Sequence, residues 1–270
     1  MFEKEFNVLR KAVLYVGKHI FVKGASTRKS KGNFDYVTDK DIACEKYLID
    51  TIKKYFPDDN IVSEESNSKN NLKNRSWIID PIDGTLNYMN GLKDCCVQLV
   101  FFADGQTQFS FVYVPFENDF YYAINGKGAY LNGKRLEPDK TKSIRECMMA
   151  VCVTKNDNVL QLTHNLLYAL RNQILTERIL GSYGCATAMA GAGNFGIFAD
   201  ISMHINLWDC MPGELICKEA GLVVIRDKYN GYEYSVISIS EEINNVVTNE
   251  IKNQICLLYT SDAADDKARV

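Results

Sequence analysis

Residues 77–85 read Trp77-Ile78-Ile79-Asp80-Pro81-Ile82-Asp83-Gly84-Thr85, an apolar run that ends in a carboxylate and is followed by a second carboxylate. The apolar run predicts a buried strand, and the proline keeps Asp80 in extended backbone. Gly84 and Thr85 favour the start of a helix. The segment therefore places two carboxylates on one tight turn, although an Asp-Pro turn with Asp83 as a helix cap fits the same residues.

This turn suits both a metal ion and a phosphate group. Mg²⁺ prefers oxygen ligands in near-octahedral geometry and usually keeps bound waters. The free N–H groups at a helix N-terminus bind phosphate, and the helix dipole assists them. One short segment can therefore hold the cation and its anionic partner side by side.

Three further acidic segments accompany the turn. Glu64 and Glu65 end another apolar strand, and Asp209 stands just before a predicted helix, within Leu207-Trp208-Asp209-Cys210-Met211-Pro212-Gly213. Residues 35–41 add more acids at the start of another helix. Taken singly, each segment is typical of helix capping or surface charge.

The wider pattern predicts the layering of the chain. Apolar spacing predicts a helix over residues 2–22, a polar loop over 24–33 and a second helix capped by Thr38. Strand patterns then dominate to residue 136, and strands alternate with helices from residue 148 to a final helix over 241–254. This order predicts an α+β and α/β layered sandwich of the αβαβα type, with an antiparallel-sheet N-terminal subdomain on a smaller mixed-sheet C-terminal subdomain.

We place the boundaries of these parts from the same pattern. Residues 1–140 form the N-terminal α+β subdomain with most of the metal ligands, and residues 141–254 form the C-terminal α/β subdomain. Residues 255–270 resemble the translation of a widely used sequencing adapter, and we interpret them as non-native sequence. A native acidic tail is the alternative.

Composition and charge narrow the classes of function. The formal net charge is −3 with 24% charged residues, so a polyanionic partner such as nucleic acid is not expected. The nine cysteines include no Cys-x-x-Cys spacing and the three histidines are far apart, which argues against zinc and against a disulfide framework. With no leader-like N-terminus and no membrane-spanning apolar run, we expect a soluble cytoplasmic protein without a membrane partner.

The acidic segments, in this order, resemble those of the inositol monophosphatase superfamily of metal-dependent, lithium-sensitive-type phosphatases. The most specific match is Asp80-Pro81-Ile82-Asp83-Gly84-Thr85, supported by Glu64-Glu65-Ser66 and by Trp208-Asp209 with Gly213. Lys127-Gly128-Ala129-Tyr130 with Asn132-Gly133 is similar to the central hairpin of the family. The resemblance covers the chain from the first helix to about residue 254.

The resemblance implies a role for each matching residue. The first metal would be held by Glu64, Asp80 and the carbonyl of Ile82, and the second by Asp80, Asp83 and Asp209. A third, weaker Mg²⁺ near Glu64 is implied as well. The implied catalytic residues are Asp41, Glu64 and Thr85, with Asp41 and Thr85 orienting the attacking water, and the implied phosphate contacts are the amides of Gly84 and Thr85.

The implied activity is Mg²⁺-dependent hydrolysis of a small phosphate monoester of the inositol-1-phosphate type. Metal-activated water would attack in line, without a phosphoenzyme, using two or three Mg²⁺ ions. A fructose-1,6-bisphosphatase or a 3′-phosphoadenosine 5′-phosphate phosphatase of the same superfamily is the alternative. A non-catalytic phosphate- or metal-binding module is the alternative from another class, and homodimers are common in the family.

One stretch departs from the family pattern. Inositol enzymes of the family carry a substrate-binding Glu a few residues before the Trp-Asp motif, whereas residues 197–204 of this chain contain none. Asp200 is the nearest chemical substitute and is our candidate for the substrate hydroxyls, although a strand-end surface acid is equally compatible with the sequence. Because Asp is one methylene shorter than Glu, its reach to a diol differs.

Overall fold

The computed structural model describes residues 2–25, 27–32, 35–66, 71–154 and 156–268, with the side chains of Asp35 and of 259–268 outside that description. The helices are α1 (Glu3–His19), α2 (Asp39–Tyr55), α3 (Thr85–Met89), α4 (Asp157–Leu170), α5 (Tyr183–Gly191), α6 (Leu207–Glu219) and α7 (Glu241–Ala268). The first nine strands are β1 (Arg28–Gly32), β2 (Asp35–Thr38), β3 (Asn60–Ser63), β4 (Arg75–Asp83), β5 (Cys96–Ala103), β6 (Gln106–Val114), β7 (Asp119–Ile124), β8 (Gly128–Leu131) and β9 (Lys134–Arg135). The remaining strands are β10 (Met148–Val151), β11 (Thr176–Ile179), β12 (Ile197–Ser202), β13 (Val223–Tyr229) and β14 (Tyr232–Ser238).

The larger sheet contains seven strands in the order β3-β4-β5-β6-β7-β8-β9. All its neighbours are antiparallel except β3 and β4, which run parallel. Alternation along β4 explains why both faces are buried: Trp77 and Ile79 pack on one side, and Ile78 packs on the other. Each face therefore carries its own layer of helices.

The smaller sheet has the order β11-β10-β12-β14-β13. Strands β10, β11 and β12 are parallel, while β14 is antiparallel to both of its neighbours. The carboxyl ends of the three parallel strands consequently meet at one edge of this sheet. In open α/β sheets that edge is where ligands bind.

The helices complete five layers. Helices α1 and α2 cover the outer face of the large sheet, α5 and α6 lie between the two sheets, and α4 and α7 cover the far face of the small sheet. The predicted αβαβα sandwich is therefore confirmed. In this middle layer, α6 packs against β4 and α5 packs against β12.

Three local predictions were wrong at their boundaries. The polar loop over 24–33 contains β1, which pairs with β2; its five residues are all exposed, so no apolar alternation indicated a strand. Helix α6 begins at Leu207 and includes Pro212, so Asp209 lies inside this helix and not just before it. Helix α7 continues to Ala268 beyond the predicted end at Gln254, because neither Gly nor Pro interrupts residues 255–268.

Two further findings bear on the expected environment. All nine cysteines are free thiols. Within the described residues, no helix is long and apolar enough to cross a membrane.

Candidate metal centre and phosphate site

Three carboxylates from distant parts of the sequence converge in the middle layer. One ligand oxygen from each of Asp80, Asp83 and Asp209 lies within 4.8 Å of the others. Asp80 and Asp83 stand at the end of β4, and Asp209 lies in the first turn of α6. We call these three residues the carboxylate cluster.

A bulge brings Asp80 and Asp83 to the same face of the large sheet. Residues three apart in a regular strand point to opposite faces. Here Asp80 pairs with Gln98 of β5 and Asp83 pairs with Cys96, so three steps on β4 match two on β5. The extra residue in β4 rotates the second carboxylate back toward the first.

Asp80 is the most deeply buried member of the cluster. Its side chain is 1% exposed, and its Oδ1 atom has no hydrogen-bond partner among the described residues. Burial is the main cause that raises the pKa of Asp80 well above its usual value, and the charges of Glu64, Asp83 and Asp209 add to it. A buried, unpartnered carboxylate oxygen among like charges is what a cation site requires.

The N-terminus of α5 holds Asp83. Ser182 Oγ and the Gly184 N–H donate to Asp83 Oδ2 at 2.5 and 2.6 Å, and the Tyr183 N–H donates to Oδ1 at 3.3 Å. Burial raises the pKa of Asp83, and these hydrogen bonds oppose that rise. The sequence analysis missed Ser182 and Gly184; a serine before a run of small residues was the available signal for a helix cap.

Asp209 is held by its own helix. Asn206 Nδ2 donates to Asp209 Oδ2 at 3.1 Å. Burial first, and then the charges of Asp83 and Glu64, raise the pKa of Asp209 well above its usual value. Its carboxylate therefore belongs electrostatically to the same group as Asp80 and Asp83.

Glu64 lies beside the cluster, next to Asp80. It follows β3, and its Oε1 atom accepts from Lys31 Nζ at 3.2 Å, while Glu65 Oε1 accepts from the same ammonium at 2.7 Å. Burial is the main cause that raises the pKa of Glu64 to about 7; Lys31 opposes the rise, and the charge of Glu65 adds to it. Glu64 is not one of the three residues whose ligand oxygens lie within 4.8 Å of one another. Its charge nevertheless contributes to the raised pKa values of Asp80 and Asp209.

Asp41 and Thr85 meet across the site. Asp41 Oδ2 accepts from the Thr38 N–H at 2.9 Å and from the Thr38 hydroxyl, forming the capping box of α2. Thr85 Oγ1 lies 3.3 Å from Asp41 Oδ1 and 2.9 Å from the carbonyl oxygen of Ile82. Burial raises the pKa of Asp41.

Gly84 is required by the turn between β4 and α3. Its φ of 80° lies in the left-handed region, and a Cβ there would stand 2.8 Å from the carbonyl oxygen of Asp94. The N–H groups of Gly84 and Thr85 precede the first helical hydrogen bond, which the Tyr88 N–H donates to the Gly84 carbonyl. Both amides are thus free of an intrahelical acceptor.

Asp200 lies within β12 rather than at its end. Its side chain is 5% exposed, and burial raises its pKa to about 7. Its charge contributes to the raised pKa of Asp209 and of Tyr183, which places it near the cluster on the side of α5. The structure does not bring Asp200 into the carboxylate cluster.

The donor set fits hard divalent cations. The cluster offers only carboxylate oxygens, with Glu64 and the Ile82 carbonyl close by. Among the described residues, no Lys or Arg side chain forms an ion pair with Asp80, Asp83 or Asp209. Oxygen-only ligands with uncompensated negative charge favour Mg²⁺ or Ca²⁺ over softer metals.

Comparisons with known proteins agree with this geometry. The inositol monophosphatase family profile matches residues 3–256. A Thermotoga maritima protein named fructose-1,6-bisphosphatase/inositol-1-monophosphatase is 33% identical over 239 residues, covering 85% of this chain and 89% of the relative. The Escherichia coli Nus factor SuhB is 32% identical over 227 residues, covering 83% and 84% of the two chains.

Solved structures share the fold. A Thermotoga maritima IMPase aligns with a TM-score of 0.80 at 29% identity, covering 94% of this chain and 100% of that one. An IMPase/NADP phosphatase complexed with Mg²⁺ and phosphate aligns with a TM-score of 0.73 at 23% identity, covering 91% and 94%. The family match over nearly the whole chain, together with these relatives, shows that the chain belongs to the inositol monophosphatase family of phosphoric monoester hydrolases.

Proposed function

We propose that this chain hydrolyses a small phosphate monoester of the inositol-1-phosphate type with the help of two or three Mg²⁺ ions. The observation that carries the proposal is the convergence of Asp80, Asp83 and Asp209 within 4.8 Å beside the turn at Gly84. Divalent cations held there would neutralise the phosphate dianion, lower the pKa of the attacking water and stabilise the leaving alkoxide. Glu64 and the Ile82 carbonyl would complete the ligand set.

Asp41 and Thr85 are suited to orient the attacking water. Thr85 has one hydroxyl hydrogen and two nearby acceptors, Asp41 Oδ1 and the Ile82 carbonyl. When the hydroxyl donates to Asp41, the lone pairs of Thr85 Oγ1 are left to accept a hydrogen from water. The Thr38 contacts hold the Asp41 carboxylate in the orientation that this role needs.

The phosphate would contact the turn that follows β4. The Gly84 and Thr85 amides have no intrahelical acceptor and can donate to phosphate oxygens. A side chain at position 84 would push against the Asp94 carbonyl, so the close approach of backbone to ligand depends on glycine. The leaving alcohol would then lie toward the small sheet, on the side of Asp200.

The substrate class rests on Asp200 and on the relatives. Asp200 offers a carboxyl group near Asp209 in a stretch without Glu, so we propose that it receives substrate hydroxyls. A second candidate is fructose-1,6-bisphosphate, because the 33% identical Thermotoga relative carries both activities in its name. A 3′-phosphoadenosine 5′-phosphate phosphatase is the third candidate.

The remaining expectations accompany this proposal. The division at residues 140 and 141, cytoplasmic residence and a homodimeric assembly stay predictions. Analytical ultracentrifugation of the purified chain tests the assembly, and limited proteolysis tests the division.

Phosphate release from a panel of esters tests the function. Purified protein is assayed with inositol-1-phosphate, fructose-1,6-bisphosphate and 3′-phosphoadenosine 5′-phosphate, each with Mg²⁺ and with EDTA. We expect Mg²⁺-dependent turnover with inositol-1-phosphate as the best substrate. Turnover that persists in EDTA contradicts the metal assignment, and binding without turnover supports the non-catalytic alternative.

A further inference from the structure

Gln98 is a fully buried amide in the large sheet. It lies in β5, its side chain is 0% exposed, and neither Oε1 nor Nε2 has a hydrogen-bond partner among the described residues. Buried side-chain amides are almost always hydrogen-bonded in folded proteins. The oxygen and nitrogen of the Gln98 amide therefore indicate a hydrogen-bond partner other than the described protein atoms.

The position of Gln98 places it directly beside the carboxylate cluster. It is the cross-strand partner of Asp80, and directly opposite residues share a face of the sheet, with Cβ atoms about 5 Å apart. Asp80 Oδ1 also lacks a hydrogen-bond partner among the described residues. Two neighbouring side chains on one face of the sheet thus both lack a hydrogen-bond partner among the described residues.

The other neighbours of Gln98 also belong to the site. A Cβ on Gly184 would stand 2.5 Å from Gln98 Cδ, and the Gly184 N–H is one of the donors that hold Asp83. On the same face of β5, the Cys96 thiol lies 3.5 Å from Asp83 Oδ2. The carboxamide therefore packs against the helix N-terminus that holds Asp83.

We propose that Gln98 is a positioning residue of the metal centre. Its carboxamide hydrogen-bonds to Asp80 Oδ1 through one bridging water, and so fixes which oxygen of that carboxylate faces the cations. A neutral donor suits this position because it orients the carboxylate without adding charge to a cluster of acids. Outer partners of this kind orient metal ligands and tune metal affinity. The proposal rests on the proposed function only in assuming that the cluster binds divalent cations.

The test compares Gln98→Leu with a matched control on the same strand. Val100→Ala changes the next inward residue on the same face, where Val100 packs in the core between the sheets. Mn²⁺ binding is measured by the electron paramagnetic resonance signal of the free ion, which needs no turnover. The Mg²⁺ concentration for half-maximal phosphate release and the thermal midpoint in EDTA are measured in parallel.

We expect Q98L to weaken Mn²⁺ binding about tenfold and to raise the half-maximal Mg²⁺ concentration similarly. Its thermal midpoint in EDTA should fall by only a few degrees, because Asp80 Oδ1 loses its hydrogen-bond partner while the buried volume is kept. V100A should lower the midpoint and leave Mn²⁺ binding within about twofold of wild type. Wild-type Mn²⁺ affinity in Q98L would overturn the proposal.

The test also covers a Q98L variant that does not fold and a wild-type protein without activity. If Q98L does not fold, Gln98→Met, which keeps the unbranched shape without the amide, takes its place with the same expectations. If wild-type protein hydrolyses no ester, the proposed function fails, but the Mn²⁺ affinities still decide the role of Gln98.

Discussion

The two ends of β4 treat their charges in opposite ways. At its start, Arg75 donates to both oxygens of Asp59 at 2.7 and 3.0 Å and to Glu5 at 3.0 Å, while Trp77 Nε1 donates to Asp59 at 2.9 Å. At its end, Asp80 and Asp83 meet Asp209 with no cationic side chain in contact among the described residues.

The start of β4 therefore carries a structural ion pair, whereas its end carries a candidate binding site. The acids at the start of β4 find their counter-charge within the protein, and the hydrogen bonds to Asp59 are the main cause that raises the pKa of Arg75. The acids at the end of β4 have raised pKa values because no cation offsets their burial and, at Asp80, the repulsion of neighbouring carboxylates. We therefore infer that divalent cations supply the missing counter-charge at that end.

The largest expected effect comes from removing a carboxylate at the end of β4. Asp80→Asn removes a central carboxylate, and we expect the rate of phosphate release to fall by at least about 100-fold, because loss of a metal-orienting group outside the coordination sphere already costs that much. The thermal midpoint in EDTA should stay the same or rise, since repulsion is relieved. Steady-state kinetics and thermal unfolding check both parts, and near-normal turnover would contradict the site.

Added Mg²⁺ should stabilise the wild-type fold more than it stabilises a variant of the carboxylate cluster. Saturating Mg²⁺, at about 100 times its dissociation constant, should stabilise the wild-type fold by about 2.7 kcal/mol through linkage. Asp80→Asn should lose most of that gain. Chemical denaturation with Mg²⁺ and with EDTA measures the difference, and an equal gain in both proteins would show that the cations bind elsewhere.

A substitution beside the start of β4 should change the free energy of unfolding and leave the Mg²⁺ dependence of activity unchanged. Asp59→Asn leaves Arg75 without its bidentate partner, and we expect a loss of about 2 kcal/mol in the free energy of unfolding. The half-maximal Mg²⁺ concentration should stay at the wild-type value. Urea unfolding and a Mg²⁺ titration of activity check this, and a shifted Mg²⁺ requirement would mean that the two ends are coupled.

The smallest effect concerns pH. Burial raises the folded-state pKa of Glu64 from 4.5 to about 7, so the folded state binds more protons than the unfolded state between those values. Stability without metal should therefore fall as pH rises from about 4.5 to about 7. Thermal midpoints in EDTA across this range check the sign, and a midpoint that climbs steadily with pH would refute it.

The fold and the motif residues could be predicted from the sequence, whereas the residues that contact the motif could not. Asp80 and Asp83 were identifiable because an apolar run, a proline and a glycine share one short segment. Ser182 and Gln98 were not, because their relevance depends on contacts with residues far along the chain. The roles assigned to Asp41, Glu64, Thr85 and Asp200 stay predictions until variants are assayed.

Local patterns also failed where the structural signal was not hydrophobic. Strand β1 is wholly exposed and lysine-rich, so only its backbone pairing with β2 defines it. The start of α6 was predicted too late, since the helix begins at Leu207 and contains Pro212. That error moved Asp209 from inside the helix to just before it.

Anomalous diffraction from crystals soaked in Mn²⁺ and phosphate tests the central claim most directly. We predict strong Mn²⁺ peaks within coordination distance, about 2–2.5 Å, of carboxylate oxygens of Asp80, Asp83 and Asp209, with phosphate beside Gly84. Peaks confined to other acids, or the three carboxylates turned apart with no ion between them, would contradict it.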